Sequence, residues 1–265
     1  MSIFNAIVLG LIQGVTEFAP VSSSGHLVIF NHLLNAGNAF TFDVLLNFGT
    51  LFALIIFYRK RIVSIIQRFF KPKGWVLVVK VIMATIPAVA VGLVMRDQIE
   101  ILNGWIWLVI AMQVLVGIPM IIIGRQNKDC DDREMEQSVG WKTSLKIGLM
   151  QMLALIPGVS RSGITILTGL RLNLSAARAA EFSFLMAIPV LAGGATKTLL
   201  SSEGQEFITN NMATFIVGNI FAFIAGMLVI NFLIKWIAKR GLKDFGWYRI
   251  CLATVLSCLL IFNVI

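Results

Sequence analysis

The first apolar stretch of the chain contains Glu17, Ser22, Ser23, Ser24 and His26, with Gln13 one helical turn ahead of Glu17; Ser160, Arg161 and Ser162 form a second cluster much later. A serine hydroxyl attacks phosphorus or carbon when a base takes its proton, and an imidazole or a carboxylate is such a base. A guanidinium grips phosphate oxygens through paired donors, and carboxylate and amide oxygens can hold a divalent ion against the same oxygens. Together these residues suit phosphoryl transfer, or the binding of an anionic cargo without bond cleavage. Gln13 and Glu17 lie four apart and share a helix face; Ser23 and His26 lie three apart and share another. A blander use also exists for some of them. Ser22 and Ser162 suit close helix packing, and Arg161 could bridge to Glu17 structurally. A lone intramembrane glutamate or histidine is functional more often than structural, because burying it is costly.

The chain around these residues is that of an all-α, polytopic integral membrane protein. Of its 265 residues, 58% are hydrophobic and only 13% charged, too little charge for the surface of a soluble domain of this size. Apolar runs at 41–58, 75–95, 104–124, 179–200, 212–234 and 247–265 each approach the roughly 20 residues a spanning helix needs. About six spanning helices are therefore expected in a single membrane domain, residues 1–265, with a polar cytoplasmic loop from Arg125 to about Lys142. The N-terminal run lacks a preceding Lys or Arg and is broken by Glu17, so it is not expected to be a cleaved signal peptide.

The net charge of +9 does not indicate nucleic acid, because it is localised. Arg59, Lys60, Arg61, Arg68, Lys71 and Lys73 cluster in one expected loop, and Lys235, Lys239, Arg240, Lys243 and Arg249 in another. Such clusters mark the cytoplasmic side and attract anionic lipid head groups. The loops at 96–103 and 200–211 carry Asp97, Glu100, Glu203 and Glu206 and belong outside.

The chain also repeats itself. Residues 10–25, GLIQGVTEFAPVSSSG, laid over residues 148–163, GLMQMLALIPGVSRSG, agree at seven of sixteen positions with an offset of 138. Shared Gln13/Gln151, Ser22/Ser160, Ser24/Ser162 and Gly25/Gly163 carry more weight than shared leucines, and the same offset sets Asp43 against Glu181. The charge bias makes the two copies enter and leave from opposite sides. Both are too short and broken to span, so two re-entrant helical hairpins in an inverted-topology repeat are expected, with halves of approximately 1–125 and 140–265.

In each copy a proline should end one half-helix and serines should begin the next: Pro20 then Ser22, Ser23 or Ser24; Pro157 and Gly158 then Ser160 and Ser162. Two half-helix N-termini, several hydroxyls and Arg161 then face one cavity, for which phosphate is the natural guest. Asp43 and Glu181 are expected to pair or lie at an interface, and Lys80, Lys197, Arg171 and Arg178 to snorkel from helix ends. Cys130 reads as a loop thiol, Cys251 and Cys258 as helix-packing residues, and KDCDDREME at 128–136 as a solvated loop.

QGVTEFAPVSSSGH, Gln13 to His26, resembles the first motif of the bacterial undecaprenyl-diphosphate phosphatases linked to bacitracin resistance, and PGVSRSGIT, Pro157 to Thr165, is similar to their second. EFSFLMAIP at 181–189 fits as well, and the resemblance extends over the whole chain. It implies hydrolysis of undecaprenyl diphosphate to the monophosphate carrier of cell-wall synthesis, at the outer (periplasmic) face of the bacterial plasma (inner) membrane. It also implies a divalent cation, Mg or Ca. By position Glu17, Ser23, His26 and Arg161 match the family's catalytic residues, and Gln13, Ser22, Ser24, Ser160, Ser162 and Thr165 fall on the motifs as substrate-binding candidates. Glu17 and Gln13 are the metal candidates; Gln13 stands where glutamate is common, which removes one negative charge, and Ser24 stands where some relatives have threonine.

The expected chemistry is attack on the terminal phosphorus by Ser23, with His26 or Glu17 relaying the proton, or with the roles of Ser23 and His26 exchanged, or by water. The partners are then a polyprenyl diphosphate and the bilayer, with the prenyl tail in apolar grooves open to lipid. The rival reading is a transporter or flippase for a phosphorylated lipid or anion, which would use the same Arg161 and serines for binding alone. A non-catalytic scaffold would make these residues packing only.

Overall fold

The computed structural model describes residues 1–36, 40–71, 74–103, 105–123 and 135–262. Cys130 and most of KDCDDREME lie outside the described residues. In chain order the helices are α1 (Ile3–Thr16), α2 (Ser23–Leu33), α3 (Phe40–Leu45), α4 (Asn47–Phe57), α5 (Arg59–Phe69), α6 (Val76–Val94), α7 (Arg96–Asn103), α8 (Ile106–Ile123), α9 (Met135–Ser138), α10 (Trp141–Gln151), α11 (Arg161–Arg171), α12 (Ala176–Leu200), α13 (Ser202–Arg240) and α14 (Lys243–Ile261). No strand occurs among the described residues.

Six stretches are long and apolar enough to cross a membrane: α3 with α4, then α6, α8, α12, α13 and α14. The chain is a multi-pass membrane protein, and these stretches fall on the six apolar runs of the sequence. Several polar segments between them are helical rather than loops. The basic segment after Tyr58 forms α5, with no fully buried residue; Ile62 and Ile65 pack against the core and Arg61 reaches Glu181 at 3.4 Å. The segment at 96–103 forms α7, and the segment at 200–211 is mostly the first part of α13, which kinks at Asn211 (φ −139°, ψ 35°). A serine caps the last of these: Ser201 accepts from the Gly204 amide at 3.2 Å and starts α13, whereas α5 begins at Tyr58 without a side-chain cap.

Two helix pairs are too short to cross. α1 has 14 residues, and α2, α10 and α11 have 11 each, well under the roughly 20 required. The turn inside each pair is built the same way. Ser22 (φ 75°, ψ 97°) precedes α2 and Ser160 (φ 76°, ψ 114°) precedes α11. Each hydroxyl accepts from the amide three residues on, Gly25 at 3.3 Å and Gly163 at 3.1 Å. A positive φ on serine costs roughly 1–3 kcal/mol, so tertiary contacts must hold it. The first half-helices end earlier than the prolines require. α1 stops at Thr16, four residues before Pro20, and α10 stops at Gln151, followed by a 3-10 turn over Met152–Leu155 and by Gly158 at φ 93°.

The two pairs are tied to each other's halves of the chain. α1 packs on α13 and α10 packs on α6, in both cases through small residues. A Cβ on Gly10 would stand 2.3 Å from the Gly218 carbonyl oxygen, one on Gly14 2.4 Å from that of Ala222, and one on Gly148 2.5 Å from that of Ala84. Backbones this close require glycine, as in small-xxx-small membrane contacts. Phe18, in the turn between α1 and α2, and Phe184 of α12 meet edge to face at 5.8 Å. Both rings are fully buried and fix the residues before them, Glu17 and Ser183.

Three side-chain expectations are corrected. Lys80 does not snorkel: it is buried, with its ammonium 5.1 Å from the Trp141 ring. Cys251 and Cys258 are exposed on α14 rather than packed between helices. Arg249 belongs to no surface cluster: it sits inside α14 and is 0% exposed.

Candidate active site

The site begins at Glu17, the residue that closes α1. Its Oε1 accepts from Arg161 Nη2 at 2.9 Å, and its Oε2 accepts from the Ser23 hydroxyl at 2.6 Å and from Gln13 Nε2 at 3.1 Å. Gln13 also donates to Asn47 Oδ1 at 2.7 Å. The ion pair is nearly enclosed, with Arg161 and Glu17 side chains 10% and 8% exposed. Ser23 and Arg161 are the first residues of α2 and α11, so the start of each half-helix delivers one donor to the same carboxylate. First-turn amides of these helices lack intrahelical partners and lie where an anion would be received.

These groups line a cavity of about 200 Å³ together with Ser22, Ser24, Asp43, Gln151 and Ser160. Its donor side is Arg161, Ser23 and the two helix starts. Its acceptor side is less usual. Gln13 Oε1, Asp43 Oδ1 and Gln151 Oε1 are buried oxygens without a hydrogen-bond donor, and each leaves a desolvated lone pair that costs about 1–3 kcal/mol if nothing meets it. The other Asp43 oxygen accepts from Asn31 Nδ2 at 2.7 Å.

Four of the sequence-derived candidates lie elsewhere or act at one remove. In the neutral ring with its proton on Nδ1, His26 donates to the Ser22 carbonyl at 2.7 Å and receives the Tyr248 hydroxyl at Nε2 at 2.8 Å. The ring stacks on Tyr248 and does not line the cavity. His26 and Ser23 start one helix but face different partners. Ser162 donates to the Ala19 carbonyl at 3.0 Å, which ties the second turn to the first. Thr165 bonds the Ser183 hydroxyl at 2.7 Å, behind Arg161, whose Nη1 donates to the Ser183 carbonyl at 3.1 Å. Ser160 lines the cavity while its hydroxyl caps α11 and meets Ser162 at 3.2 Å.

Asn47, Asn31, Gln151, Ser183, Tyr248 and Arg249 were not named from the motifs. Gln151 had a signal, since it is the repeat partner of Gln13. Arg249 had one too, a single arginine inside an apolar run. Its guanidinium donates to the carbonyls of Gln113, Met112, Pro20 and Gly158, so one residue holds both chain breaks. Asp43 and its repeat partner have diverged: Asp43 faces the cavity, whereas Glu181 pairs with Arg61 at 3.4 Å and Arg178 at 3.3 Å.

Fold and site define a helical, multi-pass membrane protein with a Ser–Glu–Arg cavity where two half-length helix pairs meet. The family model of bacitracin resistance protein BacA matches residues 6–255, and the chain belongs to that family. It is similar to Undecaprenyl-diphosphatase 1 of Clostridioides difficile, 39% identical over 265 residues that cover 96% of this chain and 95% of the relative. It is also similar to Undecaprenyl-diphosphatase of Lactiplantibacillus plantarum, 37% identical over 266 residues and 96% of each chain. A third relative is Undecaprenyl-diphosphatase 3 of Acinetobacter baylyi, 36% identical over 258 residues and 96% of each.

Proposed function

We propose that the chain hydrolyses undecaprenyl diphosphate to undecaprenyl phosphate and inorganic phosphate, returning the lipid carrier to cell-wall synthesis and conferring bacitracin resistance. The observation that carries the mechanism is the Ser23–Glu17–Arg161 chain of hydrogen bonds. Diphosphate oxygens compete with Glu17 for Arg161, whose planar fork suits them as well as it suits a carboxylate. Glu17, relieved of one partner, takes the Ser23 proton as the serine oxygen attacks the terminal phosphorus. The phosphoanhydride bond breaks, undecaprenyl phosphate leaves, and water attacks the phosphoserine to release phosphate, with Glu17 serving the water in turn. Arg161 and the helix-start amides hold the developing charge. His26 acts through the backbone it grips, fixing the positive-φ turn of Ser22 that aims Ser23.

No three acidic, histidine or cysteine side chains that could hold a metal come together among the described residues, so a divalent cation would rest on amide as well as carboxylate oxygens of the residues that line the cavity. Gln13, Glu17 and Asp43 would hold the ion, which when bound neutralises charge on the diphosphate. Asp43 compensates for the glutamine at position 13.

The two short helix pairs are read as re-entrant hairpins of an inverted repeat, in halves near 1–125 and 140–265. This is supported by the matched turns at Ser22 and Ser160 and by the reciprocal packing of α1 on α13 and α10 on α6. The charge bias of the connecting segments supports a site open to the outer side of the plasma membrane. A carrier would need grip and release only, and a serine hydroxyl 2.6 Å from a carboxylate serves neither. The test is phosphate release from undecaprenyl diphosphate by purified protein with Mg or Ca, combined with trapping of labelled phosphate on Ser23. Release without label on Ser23 would replace serine attack with attack by water; no release would remove the hydrolase reading.

A further inference from the structure

Asn47, the first residue of α4, lines the polar cavity and has no role in the reaction proposed above. Its Oδ1 accepts from Gln13 Nε2 at 2.7 Å, and the same nitrogen donates to Glu17 Oε2 at 3.1 Å. These two contacts fix which way round both amides stand. A carboxylate paired with an arginine only accepts, so the Gln13 atom that faces Glu17 is the nitrogen. Its second N–H needs an acceptor, so the Asn47 atom that faces it is the oxygen. The Asn47 nitrogen is therefore turned away from Gln13. Among the described residues it donates to nothing, and it is not one of the sealed, unpartnered atoms of the interior. What Asn47 offers a guest in the cavity is a pair of N–H donors.

The helix that positions Glu17 also positions Asn47. Two residues on, the Gly49 amide donates to Asn219 Oδ1 at 2.7 Å, and a Cβ on Gly49 would stand 2.3 Å from the Asn219 carbonyl oxygen and 2.9 Å from the Ala222 Cβ. Ala222 is also the residue whose carbonyl oxygen lies against Gly14 of α1. α1 and α4 thus pack on one turn of α13 from two sides, and that shared support sets the spacing of Gln13 and Asn47. Donors held in place beforehand need no rearrangement when an anion arrives.

Arg161, Glu17, Gln13 and Asn47 form one hydrogen-bonded row, with Ser23 on the carboxylate in its middle. A diphosphate carries oxygens on two phosphoryl groups and so calls for donors in two places. Resting on the hydrolase reading above, we infer that Asn47 is a substrate-binding residue: its Nδ2, aimed by Gln13, donates to a phosphoryl oxygen of the diphosphate at the end of the row opposite Arg161.

The test is phosphate release from undecaprenyl diphosphate by the purified full-length protein at one saturating concentration of Mg, comparing wild type with Asn47→Ala and Asn47→Asp. Aspartate has the shape of asparagine and keeps an acceptor for Gln13, but it sets an anionic oxygen where the donor was. KM is expected to rise roughly tenfold in the alanine variant and further in the aspartate variant, with kcat changing much less. An aspartate variant no worse than the alanine variant would overturn the inference, since Asn47 would then serve only as the acceptor that holds Gln13; unchanged KM in both would overturn it as well. Methylenediphosphonate, which cannot be hydrolysed, gives a readout independent of turnover. It should raise the melting temperature of wild type and fail to raise that of either variant, and shifts equal to that of wild type would again overturn the inference. A wild type that releases no phosphate would remove the hydrolase reading, and the methylenediphosphonate shifts would still decide whether Asn47 donates to a diphosphate.

Discussion

Ser23 and Arg161 occupy the same place in the two copies of the repeat, 138 residues apart, and hold opposite oxygens of one carboxylate, that of Glu17. Each follows a positive-φ serine and opens a half-helix. At this shared offset one position carries a hydroxyl and the other a cation. Glu17 itself has no acidic counterpart, since its repeat partner is Leu155.

Substitutions in this trio should therefore be strongly coupled. Glu17→Gln, Ser23→Ala and Arg161→Ala are each expected to reduce phosphate release on the order of 10²–10³-fold. The Glu17→Gln/Arg161→Ala double variant should lose little more than the worse single change, because residues acting as a unit are not additive. Arg161→Lys should not rescue, since an ammonium lacks the fork. Kinetics of the five variants on one substrate would check this, and fully additive losses would separate the two residues.

The three unpartnered oxygens of the cavity predict a cation dependence that the sequence motif can tune. Removing divalent ions with a chelator should abolish release. Gln13→Glu should lower the cation concentration giving half-maximal activity, and Asp43→Asn should raise it, each by roughly tenfold, about 1.4 kcal/mol. Cation titrations, backed by the thermal shift that each ion produces, would measure both.

Arg249→Met is expected to destabilise the whole fold rather than slow the chemistry alone. Four buried carbonyls would lose their donor, and each such loss costs about 1–3 kcal/mol. Arg249→Lys should recover only part, because one ammonium cannot reach all four. Thermal unfolding in detergent would show it.

Gly10→Leu and Gly14→Leu are expected to separate α1 from α13. At both positions the added carbon would fall within 2.4 Å of a carbonyl oxygen, and overpacking of this kind costs about 1–3 kcal/mol or more. A lower melting temperature and lost activity should accompany both.

Much of this molecule was legible in the sequence because hydropathy and the offset repeat act over many residues at once. The six spanning stretches, the two short helix pairs and the meeting of Glu17, Ser23 and Arg161 follow from them. The resemblance to the phosphatase family carried the substrate. Polar helices were harder to read: α5 and α7 are amphipathic but low in mean hydropathy, so a search for long apolar runs passes over them as loops. His26 illustrates a different limit. Its spacing from Ser23 places it on the same helix, but Ser23 donates to Glu17 while the His26 ring is held between the Ser22 carbonyl and Tyr248, a residue 222 positions away. Arg249 was misread because a cation near other cations suggests a surface; only the packing shows four carbonyls around it. The close packing of GLIQG in α1 on GNIFA in α13, across some 200 positions, was not read from the sequence, because isolated glycines carry no sign of their partner.

The placement of Arg249 also dictates an order of assembly. Both breaks, at Pro20 and Gly158, precede α14 in the chain, and the residue that ties them together is made after both. During synthesis the two chain breaks therefore lack this shared donor until α14 is made and packs on α8. A nascent chain arrested before that helix would carry Ser23, Glu17 and Arg161 and still be inert, so activity begins as a single late event and not by degrees.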